Sequence, residues 1–290
     1  MWGTYIKKNL LTIRDFNMTT NLNFSKYKRF FAFGCSFTNY KWPTWADIIS
    51  QEFTEENSYN YGWCGAGNYA ITHSVMEADS FHNLGPDDLV MVMFTNFHRE
   101  DRYVKNKGGW LYPGNIYSQS IYSPEWMEYF DEDHALMRDL MLIKMLESFL
   151  KSKGIDHYFM CMVPFGSTQN GSDESTPEQK ELLEHYKDTL ALIKPSIWET
   201  CFNFDWHSVQ PRSITKVPNA CHHIHGDGWY EDNHAHPREH LEYIQKLWPD
   251  TEFKQSTKDY TEKYHQMVLD KKTTYQENLI QRKQVNRFKP

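Results

Sequence analysis

A chain of 290 residues with 40% apolar and 16% aromatic side chains carries enough core-forming material for one domain of roughly 200 to 250 residues plus extensions, which excludes disorder throughout. A formal net charge of -7 excludes the broad positive field by which nucleic-acid binders hold phosphate. The five scattered cysteines, Cys35, Cys64, Cys161, Cys201 and Cys221, are odd in number and form no CxxC pair, so neither a disulfide framework nor a thiolate zinc site is expected.

Residues 1-28 are polar, rich in Asn and Thr, and interrupted by Lys7, Lys8, Arg14 and Asp15, so they contain no signal-peptide core and read as an arm before the domain. No run approaches the roughly 18 apolar residues of a membrane span. A soluble, cytoplasmic protein without a membrane partner is expected. Phe30-Phe31-Ala32-Phe33, halted by Gly34, suits a strand buried on both faces of a parallel sheet. Pro43 is expected to open a helix carrying Trp45, Ile48, Ile49 and Phe53, and a short strand over Tyr59 to Tyr61 leads into the glycine turn Gly62-Trp63-Cys64-Gly65-Ala66-Gly67. Asn68 is suited to cap the next helix.

Leu89 to Phe94 is the clearest buried strand, ending in Thr95-Asn96 at a strand mouth, where α/β sites are built. Residues 98-130, with Trp110, Tyr112, Tyr117, Tyr122, Trp126 and Tyr129, read as a lid or binding loop. Leu136, Leu140, Ile143, Leu146 and Leu150 mark an amphipathic helix closed by Gly154, and Tyr158 to Val163 the following strand. Thr176-Pro177-Glu178-Gln179 opens a helix expected to reach Pro195, a weak strand is expected within Ile197 to Phe204, and Pro237 opens a helix that Pro249 stops. Tyr260, Tyr264, Met267 and Val268 begin a helical stripe within Ser256 to Gln284 that either docks on its own domain or joins subunits into a homo-oligomer.

This alternation predicts an α/β fold, a three-layer α/β/α sandwich around a mostly parallel sheet of about five strands. The expected organisation is an arm over 1-28, a domain over 29-248 with an aromatic insertion at 98-130, and a helical extension over 249-290.

Ser36, just past the first strand and after a glycine that permits a tight turn, can expose its hydroxyl at the sheet edge or simply cap a turn. Strand alternation turns Cys35 away from that face, as a buried and inert thiol. Arg99 suits either an anionic substrate group or an ion pair with Glu100 or Asp101, and Trp110 with its aromatic neighbours suits stacking on sugar rings or packing of the loop on its own domain. Cys221-His222-His223-Ile224-His225-Gly226-Asp227 offers metal-ligand types, but its spacing fits no standard arrangement, so no metal is expected.

Four segments occur in order: Gly34-Cys35-Ser36-Phe37-Thr38, Asn60 to Asn68, Thr95-Asn96, and Asp232-Asn233-His234-Ala235-His236-Pro237. Together they resemble the conserved blocks of the SGNH or GDSL hydrolase superfamily over Arg29 to Trp248, and within it a divergent branch bearing Gly-Cys-Ser-Phe-Thr. The resemblance implies Ser36 as nucleophile and backbone oxyanion donor, Gly65 as second donor with Gly67 as its rival, the Asn96 amide as third, and His234 as general base with His236 as the alternative. Asp232 is favoured as the acid partner, although it stands two residues before His234 rather than the family's three; Glu231 holds the usual offset, and Asp205 is a further reserve. Phe94 and Phe97 replace the family's glycine and aspartate around Asn96.

The chemistry needs these types together. A hydroxyl is a poor nucleophile until an imidazole takes its proton, and each fixed donor aimed at the developing oxyanion contributes roughly 3 kcal/mol. What the resemblance implies is ester hydrolysis through an acyl-Ser36 intermediate, with O-acylated carbohydrate as the expected substrate class, His236 in a binding role, and no cofactor. Acyl transfer at the same site, or a non-catalytic virion component retaining the fold, are the alternatives.

Overall fold

Four apolar residues in a row, three of them phenylalanine, need cover on both faces of the strand they form. Phe30, Phe31, Ala32 and Phe33 have that cover, each being 1% exposed or less. The computed structural model describes residues 20-104, 109-111, 114-116, 122-165, 175-201, 213-215, 230-232 and 234-269. In chain order the elements are β1 (Arg29–Gly34), α1 (Trp45–Ser50), β2 (Ser58–Asn60), α2 (Asn68–His82), β3 (Asp88–Phe94), β4 (Arg102–Val104), β5 (Gly109–Leu111) and α3 (Pro124–Met127). There follow α4 (Glu132–Ser152), β6 (Asp156–Cys161), α5 (Pro177–His185), α6 (Lys187–Leu190), α7 (Ile197–Cys201), β7 (Ser213–Thr215), β8 (Tyr230–Asp232), α8 (Pro237–Leu247) and α9 (Gln255–Leu269).

The central sheet is parallel throughout, in the order β2-β1-β3-β6. Helices α2, α4, α5 and α6 pack together as one group and α1, α7, α8 and α9 as another, which gives the three layers. The chain leaves β1 toward β2 but runs from β3 toward β6, so the strand order reverses between β1 and β3. Such a reversal opens a crevice at the carboxyl ends of the two strands.

Several local expectations are corrected. The described sheet has four strands rather than about five; at its outer edge Ile193 makes a single parallel bridge to Phe159, and Pro195, which lacks an N–H, follows too closely for a ladder to extend. The strand expected within Ile197 to Phe204 is helix α7 as far as Cys201: Ser196 Oγ accepts from Glu199 N (3.1 Å) while Glu199 Oε2 accepts from Ser196 N (2.6 Å), a reciprocal cap that starts a helix. Helix α1 begins at Trp45 rather than Pro43, because Thr44 and Asp47 form the same kind of cap. The helix expected to reach Pro195 breaks at Tyr186 into α5 and α6. Gly67, not Asn68, occupies the N-cap of α2. The segment 98-130 carries the β4–β5 ribbon and α3, and its Ile116 is buried, with its N–H donating to the His98 carbonyl at 2.9 Å.

Order precedes Arg29. Leu22 and Phe24 are buried in the main core, with the Phe24 ring against Phe53 and Phe253. Leu22 N donates to Thr251 Oγ1 (2.8 Å) and Asp250 N to the Thr20 carbonyl (2.9 Å), so the described parts of both extensions clasp each other. The stripe on α9, which runs from Gln255 to Leu269, lies on its own domain, where Tyr264 and Val268 pack with Tyr40 and Trp42. The stripe's continuation toward Gln284, through Tyr275 and Leu279, lies outside the described residues. Among the described residues no helix is long and apolar enough to cross a membrane.

Because Leu22 belongs to this core, Leu22→Ala is expected to lower unfolding stability by about 2–4 kcal/mol, measured by equilibrium urea denaturation. A wild-type midpoint would mean that the segment is only a tail.

Candidate active site

Ser36 stands two residues beyond the buried end of β1. The turn that carries it is closed by Thr38 N and Asn39 N, both donating to the Cys35 carbonyl at 2.9 and 3.1 Å. Gly34 makes that turn possible: a Cβ there would stand 2.0 Å from Thr38 Oγ1 and 2.9 Å from the Met93 carbonyl oxygen. The neighbouring strand holds the turn down, since Asn39 Nδ2 donates to the Gly62 carbonyl and Asn60 Nδ2 to the Thr38 carbonyl, each at 2.8 Å. Cys35 points the other way, buried against Met162.

The Nε2 atom of His234 lies 2.8 Å from Ser36 Oγ, although the two residues are 198 positions apart. The ring of Tyr40 stacks on the imidazole at 3.7 Å between centroids and 15° between planes, and Phe37 closes a second side at 5.0 Å. His236 goes elsewhere. It is buried at the N-cap of α8, where its N–H donates to Glu239 Oε2 (2.8 Å), and its ring meets Trp42 edge-on.

The glycine turn separates its two candidate donors. Gly67 N donates to Asp101 Oδ1 at 2.8 Å, so that amide is already committed. Gly65 adopts a left-handed φ of 80° that favours glycine. Among the described residues neither its N–H nor that of Ser36 makes a hydrogen bond. Asn96 follows β3, is 8% exposed, and its Oδ1 is buried without a partner among the described residues.

Behind Asn96 lies a buried polar brace that the sequence reading did not identify. Asn68 accepts from Thr95 N (2.8 Å) and donates to the Thr95 carbonyl (2.9 Å) and to Asp139 Oδ2 (2.7 Å). Arg138 Nε donates to Asp139 Oδ1 (2.9 Å), and Arg138 Nη1 to Glu100 Oε2 (2.6 Å). Burial pushes the Asp139 carboxyl up to about 7, against the pull of Arg138 and Asn68. Burial likewise raises Asp101, opposed by the amides of Ala70 and Gly67 that it accepts. Arg99 joins the same scaffold, donating from Nη1 to the Ala66 carbonyl at 2.9 Å. Asp139 carried a readable signal, since it falls on the apolar stripe of Leu136, Leu140 and Ile143 and is itself fully buried.

Strand β8 places Asp232 two residues before His234, its Cα paired with that of Ser213. The side chains of Asp232, Glu231 and Trp110, like all of Asp205 and residues 221-229, lie outside the described residues. Among the described residues no group of three His, Cys, Asp or Glu side chains could hold a metal ion. His240, on α8 below Phe37, is fully buried; desolvation, with lesser effects from His234 and His236, pushes its pKa down to about 3.

No family model matches the chain, and no curated protein matches it. Solved structures do. A protein from Bacillus subtilis is 12% identical with a TM-score of 0.34, covering 61% of this chain, which spans only 46% of that one. A member of the lipolytic G-D-S-L family from Veillonella parvula is 13% identical (TM-score 0.38), covering 77% of this chain and 97% of its own. A psychrotrophic esterase from Pseudoalteromonas sp., solved with monoethylphosphonate as inhibitor, is 9% identical (TM-score 0.40), covering 77% and 99%.

Two predictions follow from the buried groups. Asn68→Ala removes the donor to Asp139 Oδ2 and both side-chain partners of the Thr95 backbone, so a stability loss of at least about 2 kcal/mol is expected by urea denaturation; an unchanged midpoint would contradict the brace. His240 is held neutral when folded but takes a proton near pH 6.5 when unfolded, so its contribution is present above that pH and is lost as the pH falls toward 3, at up to about 1.4 kcal/mol per pH unit. Asp139, raised by burial, acts with the opposite sign below about pH 7. The stability difference between wild type and His240→Leu cancels that second effect and should shrink with acidification; a constant difference would count against a neutral His240.

Proposed function

We propose that this protein is an SGNH-type serine hydrolase that cleaves an acyl ester through a covalent acyl-Ser36 intermediate. The observation that carries the reading is the 2.8 Å approach of His234 Nε2 to Ser36 Oγ in the crevice where the strand order reverses. Ser36 Oγ attacks the ester carbonyl carbon while His234 Nε2 takes the hydroxyl proton. The carbonyl oxygen becomes an oxyanion stabilised by the N–H groups of Ser36 and Gly65 and the side-chain amide of Asn96. On collapse the C–O bond to the leaving alcohol breaks and His234 returns the proton to that oxygen. Water then repeats the sequence on the acyl-enzyme, with the acid released and Ser36 restored.

In this reading Asp232 orients His234, with Glu231 and Asp205 in reserve, and no cofactor takes part. O-acylated carbohydrate is the proposed substrate class. Its support is the aromatic segment from Trp110 to Tyr129, which suits flat sugar faces; Tyr122 and Trp126 there stack at 4.0 Å.

A screen of short-chain aryl esters and acetylated sugars tests the proposal. Ser36→Ala and His234→Ala should each lower turnover by about a thousandfold or more with the fold intact by circular dichroism, and a fluorophosphonate should label wild type at Ser36 but not Ser36→Ala. A wild type that turns over none of these esters and takes no label would sink the reading.

A further inference from the structure

The base reaches the nucleophile from a short connection between β8 and α8, and a catalytic group held loosely by even 1 Å loses much of its effect. Its backbone therefore needs an anchor outside the connection. Trp42 supplies one. Its indole Nε1 donates to the Ala235 carbonyl at 2.7 Å, on the residue directly after His234. The same ring lies edge-on to Tyr40 at 4.8 Å, and Tyr40 is the residue whose face covers the His234 imidazole.

Trp42 is itself 1% exposed because α9 closes over it with Tyr264 and Val268. A second tie joins α9 to the start of α8, where Arg238 grips Glu262 through Nη2 (2.6 Å) and Nε (3.1 Å). The rings of His236 and His265 meet at 5.7 Å between these two ties. Nucleophile loop, base connection and C-terminal helix thus share one aromatic wall.

We propose that Trp42 is a positioning residue for His234 and that α9 locks it in place, so that the C-terminal extension belongs to the catalytic apparatus. This rests on the hydrolase reading above. Trp42 touches no reacting atom; it acts through the Ala235 peptide and through Tyr40.

The test uses the full chain. Trp42→Phe keeps a ring but removes the N–H donor, and it should lower kcat about tenfold or more while KM stays within about twofold. Tyr264→Ala, which loosens the lock without touching the connection, should lower kcat in the same direction. In a His234→Ala background there is no imidazole left to place, so Trp42→Phe should then change the residual rate by less than about twofold. Hydrogen exchange by mass spectrometry should quicken over residues 234-240 in Trp42→Phe and stay unchanged over β3. Wild-type kcat in Trp42→Phe, an equal loss in the His234→Ala background, or unaltered exchange over 234-240 would each overturn the proposal. A wild type inert toward every ester would remove the hydrolase reading and the positioning role with it, while faster exchange over 234-240 would still report the Trp42 tether by itself.

Discussion

Six residues of β1 pair in register with six of β3, from Arg29 opposite Asp88 to Gly34 opposite Met93. That ladder sets how far Ser36 and Asn96 stand from each other, because each follows its strand by only two residues. A slip of one position would turn every side chain of β1 to the opposite layer. Apolar burial prevents it, since every residue of β3 and all but the first of β1 are buried. The packing of phenylalanine, valine and methionine thus determines the geometry of a polar crevice.

The crevice is also braced from behind. Carboxylates as deeply buried as Asp101 and Asp139 are costly unless charge partners and hydrogen bonds compensate them. Here the compensating groups are the amides of Gly67 and Ala70, the Asn68 side chain and the Arg138 guanidinium. All but the Arg138–Asp139 bond, which lies within α4, tie the start of α2 to α4 or to the loop between β3 and β4. Two candidate oxyanion donors, Gly65 and Asn96, therefore sit on segments tied to one another, and this commitment of Gly67 is what sets it apart from Gly65.

The apolar runs at Phe30 to Phe33 and Leu89 to Phe94 made the central strands legible, because a continuous apolar run of that length has few environments other than a covered sheet. The order of Ser36, the glycine turn, Asn96 and His234 was legible for the same reason: each follows a strand or precedes a helix with a clear signature. Less legible were elements whose local signals conflicted. Ile197 to Phe204 offers β-branched and aromatic residues, yet Ser196 and Glu199 form a cap at helix spacing, and the cap prevails. The parts played by Tyr40, Trp42 and Asn68 depend on partners between 27 and 194 positions distant, and no local period encodes such a contact.

The 198 positions between Ser36 and His234 have a consequence during biosynthesis. At roughly 5–20 residues per second, a ribosome adds the second roughly 10–40 s after the first. For that interval the nascent chain holds a hydroxyl with no imidazole beside it, and α9 emerges later still. A truncated product ending before His234 therefore lacks the imidazole that stands 2.8 Å from the Ser36 hydroxyl in the folded chain.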